Sequence, residues 1–144
     1  MEQLNRLLGD ARRIISGLLC GGLTFCLGLL GGWDAPLMLM FTAMGLDWCA
    51  GILTALCGKS DKTADGRFRS SAAFRGLTKK LLMLAVIALA VLVDRMTGTD
   101  GICRSAAIGF YAADEGMSIL ENARALGVPL PKFVGDALKK LRGE

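Results

Sequence analysis

The chain has no histidine. That removes the usual general base and the commonest metal ligand together. It also lacks any Cys-x-x-Cys pair. Cys20, Cys26, Cys49, Cys57 and Cys103 stand apart, four of them inside or at the edge of apolar runs. Cysteines so placed behave as small apolar residues that pack well, which speaks against a disulfide framework or a zinc site. Charge is missing over long stretches as well. Ile14–Trp33 and Ala35–Gly58 are separated only by Asp34, and the two runs together hold one carboxylate, Asp47. At 144 residues there is one domain, with no room for a catalytic domain beside a membrane part. The acidic residues have no histidine, no metal-ligand spacing and no nucleophile beside them. No enzyme activity, catalytic residue, metal or cofactor is expected.

What is present is apolar. Hydrophobic residues make up 53% of the chain and the mean hydropathy is +0.48, too high for a protein with a fully solvated surface. A bilayer crossing needs about 20 apolar residues as helix, and each of the two runs has that length. Arg6, Arg12 and Arg13 precede the first run, as in a secretory signal. That run is longer than a usual signal core and ends in Gly-Gly-Trp-Asp, so a retained membrane helix is expected. Residues 1–15 read as an amphipathic helix with Leu4, Leu8, Ala11, Ile15 and Leu18 on one stripe, leading into the first crossing. A third element, Leu81–Val93, extends to residues 77–97 if Lys79 and Lys80 snorkel.

Between the second and third elements lie Lys59, Lys62, Arg67, Arg69, Arg75, Lys79 and Lys80. Seven basic residues in one short connection place it in the cytoplasm by the positive-inside rule. The net charge of +4 is therefore a topology signal rather than a nucleic-acid footprint. The Gly31–Pro36 turn has no basic residue, and Asp94–Arg104 balances two acids with two bases. Basic residues gather again at the N-terminus and after Asn122, so both termini are expected inside and the number of crossings even. The expected fold is all-α: an integral membrane protein with four transmembrane helices at 14–33, 35–58, 77–97 and 101–126, the fourth amphipathic. A short cationic helix follows at 132–142, with Val134, Leu138 and Leu141 on one side, placed to meet anionic lipid or simply solvated.

Three constellations stand out. In the first crossing Gly17, Gly21, Gly28 and Gly32 fall along one strip, which lets another backbone approach closely; glycine is also common in membrane helices generally. In the second, Ala43, Asp47, Gly51 and Ala55 are four apart and share a face, so Asp47 points where helices meet. Placing an aspartate centrally costs about 2.5–3.5 kcal/mol on translocon scales, which an assembly must offset. Either Asp47 hydrogen-bonds between helices, or it turns to water when an assembly opens. In the fourth, Arg104, Ala107, Tyr111, Asp114, Glu115, Ser118, Glu121 and Asn122 share a polar sector opposite an apolar one. Such a helix lies in the membrane interface or walls a water-filled hole. Interfacial faces are usually basic and this one is mainly acidic, which favours a pore wall.

The run Phe110-Tyr111-Ala112-Ala113-Asp114-Glu115-Gly116-Met117-Ser118-Ile119-Leu120-Glu121-Asn122-Ala123, with Leu126-Gly127-Val128-Pro129-Leu130-Pro131 after it, resembles the signature of a phage holin family. That group includes clostridial toxin-secretion holins. Leu46-Asp47-Trp48-Cys49-Ala50-Gly51 resembles its Asp-containing second helix, and Ser70-Ser71, Gly76 and Lys79-Lys80 resemble its basic loop. The likeness covers roughly residues 35–135. It departs at Asp114, where such proteins often carry Asn, and is weaker in the N-terminal helix. The resemblance implies a phage-encoded protein of the bacterial cytoplasmic membrane that assembles with itself into timed lesions. Its partners would be membrane lipid and other copies, with an antiholin as regulator and an endolysin or toxin as cargo. An antiholin-type regulator or a small ion channel or transporter subunit using Asp47 and Glu115 are the other readings.

Overall fold

The computed structural model describes residues 2–60, 63 and 66–142. Lys62 lies outside the described residues, as do the side chains of Leu4, Leu8, Leu138 and Leu141. The chain forms five helices: α1 (Glu2–Leu29), α2 (Ala35–Leu56), α3 (Ser70–Thr97), α4 (Ile102–Leu126) and α5 (Lys132–Arg142). No strand occurs among the described residues. Stretches within α1, α2 and α3 are long and apolar enough to cross a membrane, namely Gly9–Leu29, Ala35–Leu56 and Ser70–Thr97. With Arg104, Asp114, Glu115, Glu121 and Arg124 along its length, α4 is not among them.

The helix limits follow local chemistry. The amphipathic N-terminus and the first apolar run merge into one helix, which ends where Gly31 and Gly32 take positive φ of 86° and 96°. Asp34 then starts α2: its carboxylate accepts the Leu37 N–H at 3.1 Å, and Pro36 fits the first turn because its missing N–H has no partner to lose there. Helix α3 begins at Ser70, seven residues earlier than hydropathy placed the crossing. Polar residues do not prevent a helix, only its burial, so Arg75, Lys79 and Lys80 belong to α3 rather than to the connecting loop. At the far end, Gly98 closes α3 in the left-handed conformation.

Packing centres on α4, which lies along both α2 and α3. The core comprises Leu30, Leu37, Met40, Met44, Met83, Ile87 and Ile108, so α2, α3 and α4 all contribute. By contrast, α1 stands apart. Its residues from Gly9 to Cys26 are exposed, and near its end it meets the bundle through Leu27 and a hydrogen bond of 3.0 Å from Arg95 to the Gly28 carbonyl.

Candidate functional site

Two charged layers tie the bundle together, one at each end of its apolar core. The first joins the α1–α2 turn to the start of α4. Arg104 forks onto Asp34 with distances of 2.6 and 2.8 Å, and its Nε donates to the Leu30 carbonyl at 2.6 Å. This geometry uses both edges of the planar guanidinium, which a lysine cannot do. Arg104 holds the Asp34 carboxyl below its ordinary value of 3.8. Beside it, Asp94 at the end of α3 accepts the Cys103 and Arg104 N–H groups at 2.9 and 2.8 Å and the Thr99 hydroxyl at 2.7 Å. Gly101, preceding α4, has no side chain to cap the helix. Asp94 supplies that cap from another helix and satisfies backbone donors that would otherwise be orphaned.

The second layer is the candidate functional site. Asp47 lies on the inward face of α2 with Ala43 and Ala55, all buried, and Gly51 half-buried. Glu115 of α4 is 2% exposed. Between these two carboxylates sits the Lys80 ammonium, 2.9 Å from Asp47 Oδ2 and also paired with Glu115. Asn122 donates to Asp47 Oδ1 at 3.2 Å. Next to it, Lys79 reaches Asp114 at 2.8 Å. Two ammonium groups thus meet three carboxylates. A cleft opens beside them, lined by Asp47, Glu115, Lys79, Lys80, Arg75 and Ser118 among others.

Lys80 therefore does not snorkel away from the apolar core. It turns inward because two buried carboxylates would otherwise lack a counter-charge, a penalty greater than that of burying one ammonium. Sequence periodicity missed this, since Lys80 is 33 and 35 residues from its partners and on another helix. A lysine abutting thirteen apolar residues in a chain with acids at similar depth elsewhere was the available signal. The reading also missed Asp34, Arg104 and Asp94 as a unit.

The other expected site residues are distributed as follows. Ser118 lines the cleft, and Glu121 is half-buried. Tyr111 packs against the apolar core and meets Phe110 edge-on, one helical turn from Glu115. In this single chain α4 packs against α2 and α3, with Glu115 buried, Asp114 partly exposed, and Glu115 and Ser118 lining the cleft. Lys59, Arg67 and Arg69 belong to the connection between α2 and α3. Among the described residues, and apart from adjoining backbone, no atom comes within 4 Å of a Cβ built at Gly17, Gly21, Gly28 or Gly32, so no described helix of the same chain covers the glycine strip. All five cysteines are unpaired.

Residues 24–143 match the model of the bacteriophage holin family. An uncharacterised protein of Clostridium perfringens strain 13 is 36% identical over 117 residues, spanning 81% of this chain and 82% of the relative. A second C. perfringens protein, an uncharacterised 14.9 kDa product from the nagH 3′ region, is 37% identical over 81% of this chain and 83% of its own length. An uncharacterised Clostridium acetobutylicum protein is 34% identical over 79% and 86%. No solved structure matches.

Proposed function

The chain belongs to the bacteriophage holin family, and from that membership together with its buried charge layer we propose that it is a lesion-forming holin. It accumulates in the bacterial cytoplasmic membrane, assembles with itself and at a set time opens a passage for an endolysin or toxin. The observation that carries this reading is the position of Lys80 between Asp47 and Glu115. It keeps the acidic face of α4 sealed while the protein is dispersed in lipid.

The energetics favour a switch rather than a permanent seal. A buried ion pair recovers in Coulomb attraction roughly what its charges lose in hydration, so its net stability is small. Once several copies enclose water, the same carboxylates and ammonium groups can be hydrated instead. The free-energy gap between sealed and opened arrangements is then small enough for assembly to tip it. In the opened state Asp47, Asp114, Glu115, Ser118, Glu121 and Asn122 face water. The glycine strip of α1 and the small residues of α2 supply close helix contacts between copies. In this arrangement α4 is the fourth crossing and both termini are cytoplasmic, a reading supported by the distribution of basic residues. No enzymatic step is involved.

Inducible expression in bacteria tests this. The expected result is an abrupt collapse of membrane potential after a delay, followed by lysis when an endolysin is co-expressed. Slow growth inhibition with the potential retained overturns it. Delay of another holin without killing alone identifies an antiholin instead, and ion-selective conductance without passage of a cytoplasmic protein marker identifies a channel.

A further inference from the structure

The apolar belt of the bundle is not equally tall on all sides. The exposed surface of α2 carries Met38, Leu39, Leu46, Trp48, Leu53 and Leu56. Its sole charge, Asp47, points inward, so the outer face of α2 can meet hydrocarbon along the full 22-residue length of Ala35–Leu56. At 1.5 Å per residue that is about 33 Å, close to the ~30 Å of a bilayer core. The α3–α4 side is shorter. On α3 the uncharged apolar stretch Leu81–Val93 is bounded by Lys79 and Arg95, both exposed, with exposed Phe74, Leu77 and Met96 lying beyond those charges. Its length is about 20 Å. On α4 the exposed apolar surface begins at Ile102, includes Phe110 and stops at Asp114. This gives about 18 Å.

The inner border of this short side is fixed in depth. A lone lysine can run its stem along the helix and lift its ammonium to the interface. Here Lys79 is held 2.8 Å from Asp114, with side chains 57% and 42% exposed. Aspartate has a stem too short to follow, so the exposed ion pair stays at its level. Water or headgroups must come down to meet it.

We propose that the α3–α4 side binds a locally thinned bilayer, and that its fitting partner is phospholipid with short acyl chains, whereas α2 fits a bilayer of ordinary thickness. Each molecule then deforms the membrane on one side only. Mismatch costs fractions of a kcal/mol per Å, so copies that bring their short sides together share one deformed patch instead of making two. This inference rests on α4 crossing the membrane, as in the function proposed above, but not on lesion formation.

The test uses the full chain in vesicles mixing short-chain (myristoleoyl) and long-chain (erucoyl) phosphatidylcholine, with one or the other brominated to quench tryptophan. A Trp33→Phe variant leaves Trp48 to report on α2. Adding Trp48→Phe and either Phe110→Trp or Leu89→Trp reports on α4 or α3, so loss of one variant leaves the other. The expected result is a preference for brominated short-chain lipid about twofold or more greater at position 110 or 89 than at Trp48, given the mismatch cost per Å. Equal quenching by both lipids at all positions, or a long-chain preference at 110 and 89, overturns the proposal. Release of an entrapped dye from the same vesicles reads lesion formation separately.

Discussion

Lys80 lies 2.9 Å from Asp47 and is shared with Glu115, so one ammonium serves two buried carboxylates from two different helices. Replacing it by methionine keeps the stem and removes the charge. Breaking a buried pair from one side costs about 3–5 kcal/mol, and here two carboxylates lose the same ammonium. Lys80→Met is expected to shorten the delay before killing at matched membrane levels, measured by the onset of potential collapse. Onset unchanged at equal protein level would show that the layer does not hold the sealed state.

Asp47→Asn is expected to act in the opposite direction. Lys80 then pairs one-to-one with Glu115, and the new amide can still accept from Asn122. The layer loses its excess negative charge and the sealed state gains. Killing should begin later than in wild type, and an earlier onset would contradict the assignment.

Arg104 and Asp34 separate a charge effect from a capping effect. Asp34→Asn keeps a side-chain acceptor for the Leu37 N–H but loses the ionic partner of Arg104. Asp34→Ala loses both. The alanine variant should therefore be less stable than the asparagine variant by about 1 kcal/mol, the usual worth of an N-cap. Thermal unfolding in detergent, followed by circular dichroism, measures the difference.

Because Arg104 depresses the Asp34 pKa below 3.8, the pair's contribution is present in full above the unfolded carboxylate range. It fades only as pH falls through the lower, folded value. Melting temperature in detergent should therefore show an Asp34-dependent loss confined to acid conditions below pH 3.8. Asp34→Asn should remove that part of the acid transition and leave the rest.

Gly31 and Gly32 both have positive φ, but only Gly31 faces Arg104. A Cβ at Gly31 would sit 2.6 Å from Arg104 Nε, whereas one at Gly32 meets nothing within 4 Å. Both alanine substitutions incur backbone strain of roughly 1 kcal/mol. Gly31→Ala should cost more than Gly32→Ala, because it also displaces the guanidinium from Asp34 and Leu30. Equal losses in melting temperature would refute the close approach.

Orientation is open to a direct check. In a background without the five native cysteines, a reporter cysteine after Lys59 should be labelled only from the cytoplasm and one near Thr99 only from outside. An external C-terminus would place α4 in the interface and remove it from the lesion wall.

Much of this was readable from the chain because it rests on local rules. A lone Asp47 in an apolar run, four residues from small neighbours on either side, had to turn inward. The acids of α4 could be assigned to one face from helical pitch. Asp34 before Pro36 and the glycines at 31, 32, 98 and 127 mark helix limits by the chemistry of caps and positive φ. The pairing of charges was not readable. Lys80 resembles any flanking lysine until α2 and α4 are placed beside it. The same holds for Asp94, whose role as cap for α4 depends on a turn that brings another helix's backbone to it. Pairing is a tertiary fact, and nothing in a single helix's periodicity encodes which partner will arrive.

The isolation of α1 carries one more consequence. From Gly9 to Cys26 its residues are exposed, and the family match begins at residue 24, close to where Leu27 packs against the bundle. A segment with no internal neighbours is free to diverge, because substitutions there leave the folding of α2–α4 untouched. The N-terminal helix is thus the part of the molecule whose sequence can change with least effect on how α2, α3 and α4 pack.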